Sequence, residues 1–382
     1  MSGRIDSLVL KIAERCNLNC CYCYMYQHED KSYLRRPRFI SDEVFDQLLV
    51  RICEYCDKRA PHRMGLCLHG GEPTLIGADR LDRLGARARH VLGERLVDIS
   101  MQTNATLVDH RLIDVLRRHQ ILVGVSLDGP AEIHDTFRVD HAGRGSHAAT
   151  VKGLRLLQEA DLLHGVLCVI NPGASSVDIY RYFRHLGIKR MNFLLPEVTH
   201  DSKSRLYGRF GETPVADYLI PIFDEWFGQD DPDVRIRVFW ELLGLVMGGR
   251  GDSDAFGNPL MNYLIVETDG TIQACDALRV CEEGIASSGL NLFAYGFDDL
   301  HLGLPLAHRV VHEGIPLSAK CQVCPERTVC GGGYLPHRYA RANGFDNPSA
   351  WCEDILKLLA HIRARTGYVS STKGPETGRL FC

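Results

Sequence analysis

The chain has 382 residues, 45% of them hydrophobic, with a net charge of -4 and a pI near 6.5. That balance excludes general nucleic-acid binding, and no stretch reaches the roughly 18 apolar residues of a membrane span. The N-terminus "MSGRIDSLVLKIAER" lacks a basic region followed by an apolar run and a cleavage site, so a cytoplasmic location is expected. There thiols stay reduced, which frees the 15 cysteines for metal binding or chemistry. In chain order, "DSLVLKIA" reads as a strand, "SDEVFDQLLVRICEYC" as a helix capped by Ser41, and "MGLCLHGG" as a strand ending on glycines. The alternation continues through "ADRLDRLGARARHVL", "LVDISMQTN", "LVDHRLIDVLRRH", "ILVGVSLDG", "HAATVKGLRLLQEA", "LHGVLCVIN", "SSVDIYRYFRHLG" and "RMNFLLPE". Repeated strand-helix units predict an α/β fold, a parallel sheet closed partly or fully into a barrel, with ligands at the C-terminal ends of the strands. After about residue 230 the rhythm breaks. A hairpin, "NYLIVETDGTIQAC", turning at Asp269-Gly270, opens a cysteine- and glycine-rich segment, and "WCEDILKLLAHIRAR" reads as a closing helix. The expected organisation is a core over 1–235, a cysteine-rich domain over 236–353, and a helix and tail over 354–382.

The first cysteine cluster, "ERCNLNCCYCYMYQ", sets Cys16, Cys20 and Cys23 in a CxxxCxxC spacing, with Cys21 a fourth thiol inside it. Four thiolates hold an ordinary cubane, so three leave one iron open to a ligand; three thiolates and a water also suit zinc. The next strand ends in "HGGEP", Gly70, Gly71, Glu72 and Pro73, a turn where backbone without side chains approaches a ligand closely and Glu72 can meet a cation.

Together these motifs resemble the radical S-adenosylmethionine (SAM) superfamily. The resemblance implies a 4Fe–4S cluster on Cys16, Cys20 and Cys23 whose open iron chelates SAM, with the Gly70–Pro73 turn at the amino group and Tyr22 beside the cluster. "SMQTNAT" and "SLDGPAEIHDTFRVD" resemble the third and fourth strand ends of superfamily peptide modifiers, placing Thr103, Asn104, Ser126 and Arg138 around SAM. A guanidinium suits a carboxylate through paired hydrogen bonds; Arg138 could equally pair Asp135 or Asp140. Leu195, in "NFLLPE", falls where the family packs an apolar residue near adenine, and core packing is its alternative. In that family a reduced cluster cleaves SAM to an adenosyl radical that abstracts hydrogen from the substrate, the electron coming from a flavodoxin- or ferredoxin-like reductant.

"CQVCPERTVCGGGYLPHRY" supplies Cys321, Cys324 and Cys330, and Cys352 follows a glycine-rich loop. Four thiolates make a closed metal site, zinc or iron–sulfur. The segment resembles the SPASM extension, which implies one auxiliary 4Fe–4S cluster here. That family usually has two. Cys275 and Cys281 match the opening pair of the other, but its third ligand falls in "LFAYGF" and its fourth is Tyr334. "CGGGYLPHRY" and "NGFDNPSAWC" look most like the FxsB-type branch, which implies crosslink formation in a ribosomally made precursor peptide. The rivals are sulfatase-maturating oxidation of cysteine or serine to formylglycine, and a radical dehydrogenase or epimerase. No leader-binding module precedes Cys16, so a separate leader-binding partner is a further expectation. Cys53 and Cys56 read as unligated helix thiols, Cys67 and Cys168 as core, Cys382 as a tail residue; no catalytic residue is assigned.

Overall fold

In the computed structural model, residues 3–251, 253–257 and 259–368 are described; Cys382 lies outside them. Ten strands form one sheet: β1 Ser7–Ala13, β2 Met64–Gly70, β3 Leu96–Thr103, β4 Ile121–Ser126, β5 Leu163–Val169, β6 Arg190–Leu194, β7 Arg235–Ile236, β8 Tyr263–Val266, β9 Thr271–Gln273 and β10 Ser287–Asn291. Their order is β10-β9-β8-β1-β2-β3-β4-β5-β6-β7, so the barrel is partial, with β7 and β10 at its edges. Strands β1 to β7 pair in parallel, Leu8 opposite Leu66 and Leu10 opposite Leu68, as crossover helices require. Leu8, Leu10, Leu66, Leu68, Val123 and Val125 are buried, the period-2 pattern of strands packed under helices.

The crossover helices fall where the sequence puts them. Ser41 accepts a hydrogen bond from Val44 N (3.1 Å) at the head of the helix Asp42–Asp57, and Asp109 caps His110–Arg118 through Leu112 N (2.8 Å). The expected hairpin forms: β9 runs antiparallel to β8, and Gly270 turns with a φ of 82°. It does not stand apart, however. β8 pairs in parallel with β1, Val9 opposite Ile265, so the sheet runs unbroken across the expected boundary at 235/236. Buried ion pairs lock the same seam. Lys11 of β1 bonds Asp276, and Arg279, held by Glu267 (2.6 Å) and Asp276 (3.0 Å), pairs Asp30 (3.6 Å) across it. No helix among the described residues is long and apolar enough to cross a membrane.

Candidate active site

The C-terminal ends of β1 to β6 surround a cavity of about 520 Å³. Cys16, Cys20, Cys21 and Cys23 line it, on the loop that leaves β1. That loop is held by the chain's own backbone: Asn19 N donates to Val139 O (2.7 Å), Cys21 N to Phe137 O (3.3 Å), and Cys23 N to Cys20 O (3.1 Å). Burial pushes the Cys16 thiol up to about 12, with Glu72 adding to it, and burial likewise pushes Cys20 up to about 11. Such thiols ionise only when a cation arrives, as metal binding provides. No three histidine, cysteine or acidic side chains among the described residues are grouped as for a lone ion. The thiols instead face a space broad enough for a larger group.

The glycines of the "HGGEP" turn are dictated by this loop. Gly70 has a φ of 148°, and a Cβ there would overlap Ala13 O; one at Gly71 would overlap Arg15 O and the Tyr26 hydroxyl. The turn docks by Gly71 N donating to Ala13 O (2.8 Å) and Glu72 N to Arg15 O (3.0 Å). Thiol loop and turn are thus one unit. Glu72, almost wholly buried, serves the scaffold first: Oε1 accepts from Thr74 N (3.0 Å), Thr74 Oγ1 (2.6 Å) and Thr103 Oγ1 (2.6 Å), and Oε2 from Asn104 N (2.8 Å). Pro73 starts the short helical turn that follows. Asn104 in turn donates to Asn17 Oδ1 (2.9 Å) and Cys16 Sγ (3.8 Å), tying the end of β3 to the first thiol.

Ser126 and Arg138 also line the cavity. Ser126 Oγ accepts from Gln102 Nε2 (2.9 Å). Arg138 pairs neither Asp135 nor Asp140 but Asp128, through Nε (2.7 Å) and an η nitrogen (3.4 Å), and its guanidinium stands 5.4 Å over the ring of Tyr22. Tyr22 donates to the same carboxylate, as does Val169 N (3.0 Å). Asp128 therefore organises this wall. "SLDGP" contains it, and the signal was an acid next to a strand end. Leu195 is half-buried on the cavity wall.

Cys321, Cys324, Cys330 and Cys352 come together around a small cavity of about 20 Å³. Gly331, Gly332 and Gly333 all have positive φ (62°, 84°, 74°), which wraps the chain tightly behind Cys330. Four thiols at one closed site fit a cubane. Cys275 and Cys281 do not. Both are buried, no third or fourth thiol joins them among the described residues, and the Tyr334 hydroxyl lies 3.2 Å from Cys275 Sγ. Sequence reasoning also passed over Asp276, beside Cys275, whose carboxylate accepts from Lys11, Tyr24 Oη (3.0 Å) and Arg279 Nε (3.0 Å). It missed Glu197 and His337 as well, which no spacing marks. Cys168 is core as expected; Cys56 is buried, while Cys53 and Cys67 are partly so.

The profile of the Radical SAM superfamily matches residues 10–191. A cysteine-type anaerobic sulfatase-maturating enzyme of Clostridium perfringens strain 13 is 28% identical over 366 residues, 94% of this chain and 96% of the relative. Native anSMEcpe with bound AdoMet has the same fold, with a TM-score of 0.82 at 24% identity, over 94% of this chain and 97% of that one. Native anSMEcpe with bound AdoMet and Cp18Cys peptide gives 0.79 at 23%, over 94% and 97%. These relatives correct the expected FxsB-type, crosslink-forming activity. Likeness along nearly the whole chain is to sulfatase-maturating enzymes, and it outweighs the short glycine-rich strings around Cys330 and Cys352 on which the crosslinking reading stood. Over residues 10–191, which carry the thiol loop, the glycine turn, Ser126 and Arg138 around one cavity, the chain is similar to the Radical SAM superfamily.

Proposed function

We propose that the protein oxidises a cysteine or serine side chain of a peptide to the aldehyde formylglycine, as a radical SAM enzyme of the sulfatase-maturating kind. The observation that carries this is the convergence of three thiols, the Gly70–Glu72 turn, Ser126 and Arg138 on one 520 Å³ cavity, in a chain alike from end to end to such enzymes. Cys16, Cys20 and Cys23 would hold a 4Fe–4S cluster, and Tyr22, the turn, Thr103, Asn104, Ser126, Arg138 and Leu195 would surround SAM. When bound, that pair supplies hydrogen-atom abstraction from an unactivated carbon.

The chain's own residues do the rest. Asp128 fixes Arg138 at the cavity wall, where its remaining N–H groups would serve a carboxylate. Tyr207 and Phe210, with Arg205 and Arg209, frame the part of the cavity wall that a peptide would pass and would keep water from the reacting carbon. Cys321, Cys324, Cys330 and Cys352 would hold an auxiliary 4Fe–4S cluster, and residues 236–353 would be its domain, built onto the core sheet. The partners are the peptide and an external low-potential reductant.

The test is anaerobic reconstitution with iron, sulfide and SAM, incubation with cysteine- and serine-containing peptides, and mass spectrometry with aldehyde capture. Loss of about 18 Da at cysteine, or about 2 Da at serine, with a hydroxylamine-reactive product supports the reading. A loss of about 2 Da without a capturable aldehyde, or 5'-deoxyadenosine with every peptide unchanged, refutes it.

A further inference from the structure

The helix His200–Tyr207 and the short turn Gly208–Phe210 that follows it join the C-terminal segment to the wall of the main cavity. The first half of the helix is engaged with that segment. His200 N donates to Tyr339 O (2.9 Å) and His200 Nε2 to Pro348 O (2.8 Å), while Asp201 accepts from Arg341 N (2.9 Å). Lys203 donates to Ala350 O (2.7 Å), with its ammonium 4.6 Å from the Trp351 ring. The second half turns to the cavity: Arg205, Leu206 and Tyr207 line it, with Arg209 and Phe210 of the turn beside them. Phe210 lies against Gly173, where an added Cβ would stand 3.2 Å from its ring.

Arg205 and Arg209 are exposed, and among the described residues neither pairs a carboxylate nor donates a hydrogen bond. Other arginines are engaged: Arg341 pairs Glu29 (3.0 Å), Arg184 pairs Asp231 (2.8 Å), and Arg363 grips Glu326 through two nitrogens at 2.8 Å each. Arg209 is also held in place, its guanidinium 4.6 Å over the Phe210 ring. The acids on the cavity wall do not neutralise the pair. Glu72 takes hydrogen bonds from Thr74, Thr103 and Asn104, Asp128 is held by Arg138 and Tyr22, and Glu197 stands 3.3 Å from His337. Exposed arginines on an outward helix face are ordinary solvated surface. These two instead stand on a cavity wall, on an element fixed at its other end.

We propose that Arg205 and Arg209 determine specificity: they receive carboxylate side chains that flank the target residue, so the substrate is an acidic peptide segment. This rests on the peptide-oxidising function proposed above and names the class of peptide. A guanidinium takes a carboxylate through paired hydrogen bonds. Charges at the edge of a binding surface act on encounter and binding rather than on chemistry, so the preference belongs in KM and not in kcat. Salt should erode it, because exposed charges are screened.

Protein reconstituted with iron, sulfide and SAM would be given cysteine peptides that differ only in the residues flanking the target: Asp, Asn or Lys. Peptide affinity by calorimetry and capturable aldehyde are then measured side by side. Wild type is expected to bind the Asp peptide about 10-fold more tightly than the Asn peptide, and the Lys peptide more weakly still, with kcat within about 2-fold across the set. The preference should shrink between about 50 mM and about 500 mM salt. R205E/R209E should reverse the order and favour the Lys peptide, a gain that a misfolded variant cannot show. R205Q/R209Q should remove the preference. R87E/R111E makes the same change in net charge on exposed side chains of outer helices and should keep the wild-type order. Equal affinity of wild type for the Asp and Lys peptides, an unchanged order in R205E/R209E, or equal loss of all three peptides in both variants at 205 and 209 overturns the assignment. So does a lost order in R87E/R111E. The expected order of affinities with no aldehyde from any peptide overturns the proposed function instead.

Discussion

The hydroxyl of Tyr334 lies 3.2 Å from the thiol of Cys275, where a further thiol ligand would have to stand. A cubane needs four ligands, and here a phenol and a buried thiol satisfy each other. Reconstituted protein should therefore carry roughly 8 Fe per chain, one cubane on Cys16, Cys20 and Cys23 and one at the C-terminal thiols, rather than roughly 12. Iron, sulfide and zinc analysis measures it. Cys324→Ala should drop the count by roughly 4 Fe while 5'-deoxyadenosine still forms, and stoichiometric zinc at the C-terminal site would refute the iron assignment.

Changing Cys16, Cys20 and Cys23 together to alanine should abolish 5'-deoxyadenosine formation under a low-potential reductant. The three thiols face the main cavity together, and Cys21, the fourth thiol lining it, cannot stand in for three ligands. Persistent product from the triple variant would remove the cofactor assignment.

Gly71→Ala should cost about 1–3 kcal/mol, because the added methyl meets Arg15 O and the Tyr26 hydroxyl, and backbone cannot yield as a side chain can. The displaced thiol loop should also take up less iron. Gly244→Ala is the control, since a Cβ there meets nothing within 4 Å inside the helix Arg237–Val246; it should leave stability unchanged or raise it by up to about 1 kcal/mol. Chemical denaturation of both variants compares them directly.

Acidification should weaken the fold between about pH 6.5 and pH 4 through His134. Burial, helped by Arg138, lowers this imidazole from 6.5 to about 4, and its Nδ1 accepts from Asp128 N (3.2 Å). In that window the unfolded chain binds the proton and the folded chain refuses it, so stability falls as pH falls. The loss grows to on the order of 3 kcal/mol below the lower value. His134→Gln should flatten this part of the profile in thermal melts taken across the window.

The thiol loop, the glycine turn and the strand-helix alternation were legible in the sequence because each is local: spacing, turn chemistry and period decide them within a few residues. Arg138 was legible as a cavity residue but not its partner, since Asp135 and Asp140 are nearer along the chain and only folding sets Asp128 against the guanidinium. Tyr334 marked the lost ligand without showing that Cys275 would meet its hydroxyl. Glu197 and His337 left no trace, being 140 positions apart and brought to 3.3 Å only by the fold. The crosslinking expectation failed for the complementary reason. Short glycine-rich strings repeat wherever a chain must wrap around thiols, so they report a metal-site geometry and not the reaction performed beside it.

The parallel pairing of β8 with β1 has a consequence for anyone cutting or recombining this enzyme. The strand that launches the thiol loop has β2 on one side and the C-terminal half of the protein on the other. A truncation near residue 235 would strip that second neighbour, leaving unmet amides and carbonyls along that edge of β1 and stranding the Lys11 ammonium without Asp276. The two halves are thus not interchangeable cassettes. A chimera with a foreign C-terminal half would have to donate a strand in the same register before its first cluster site could form.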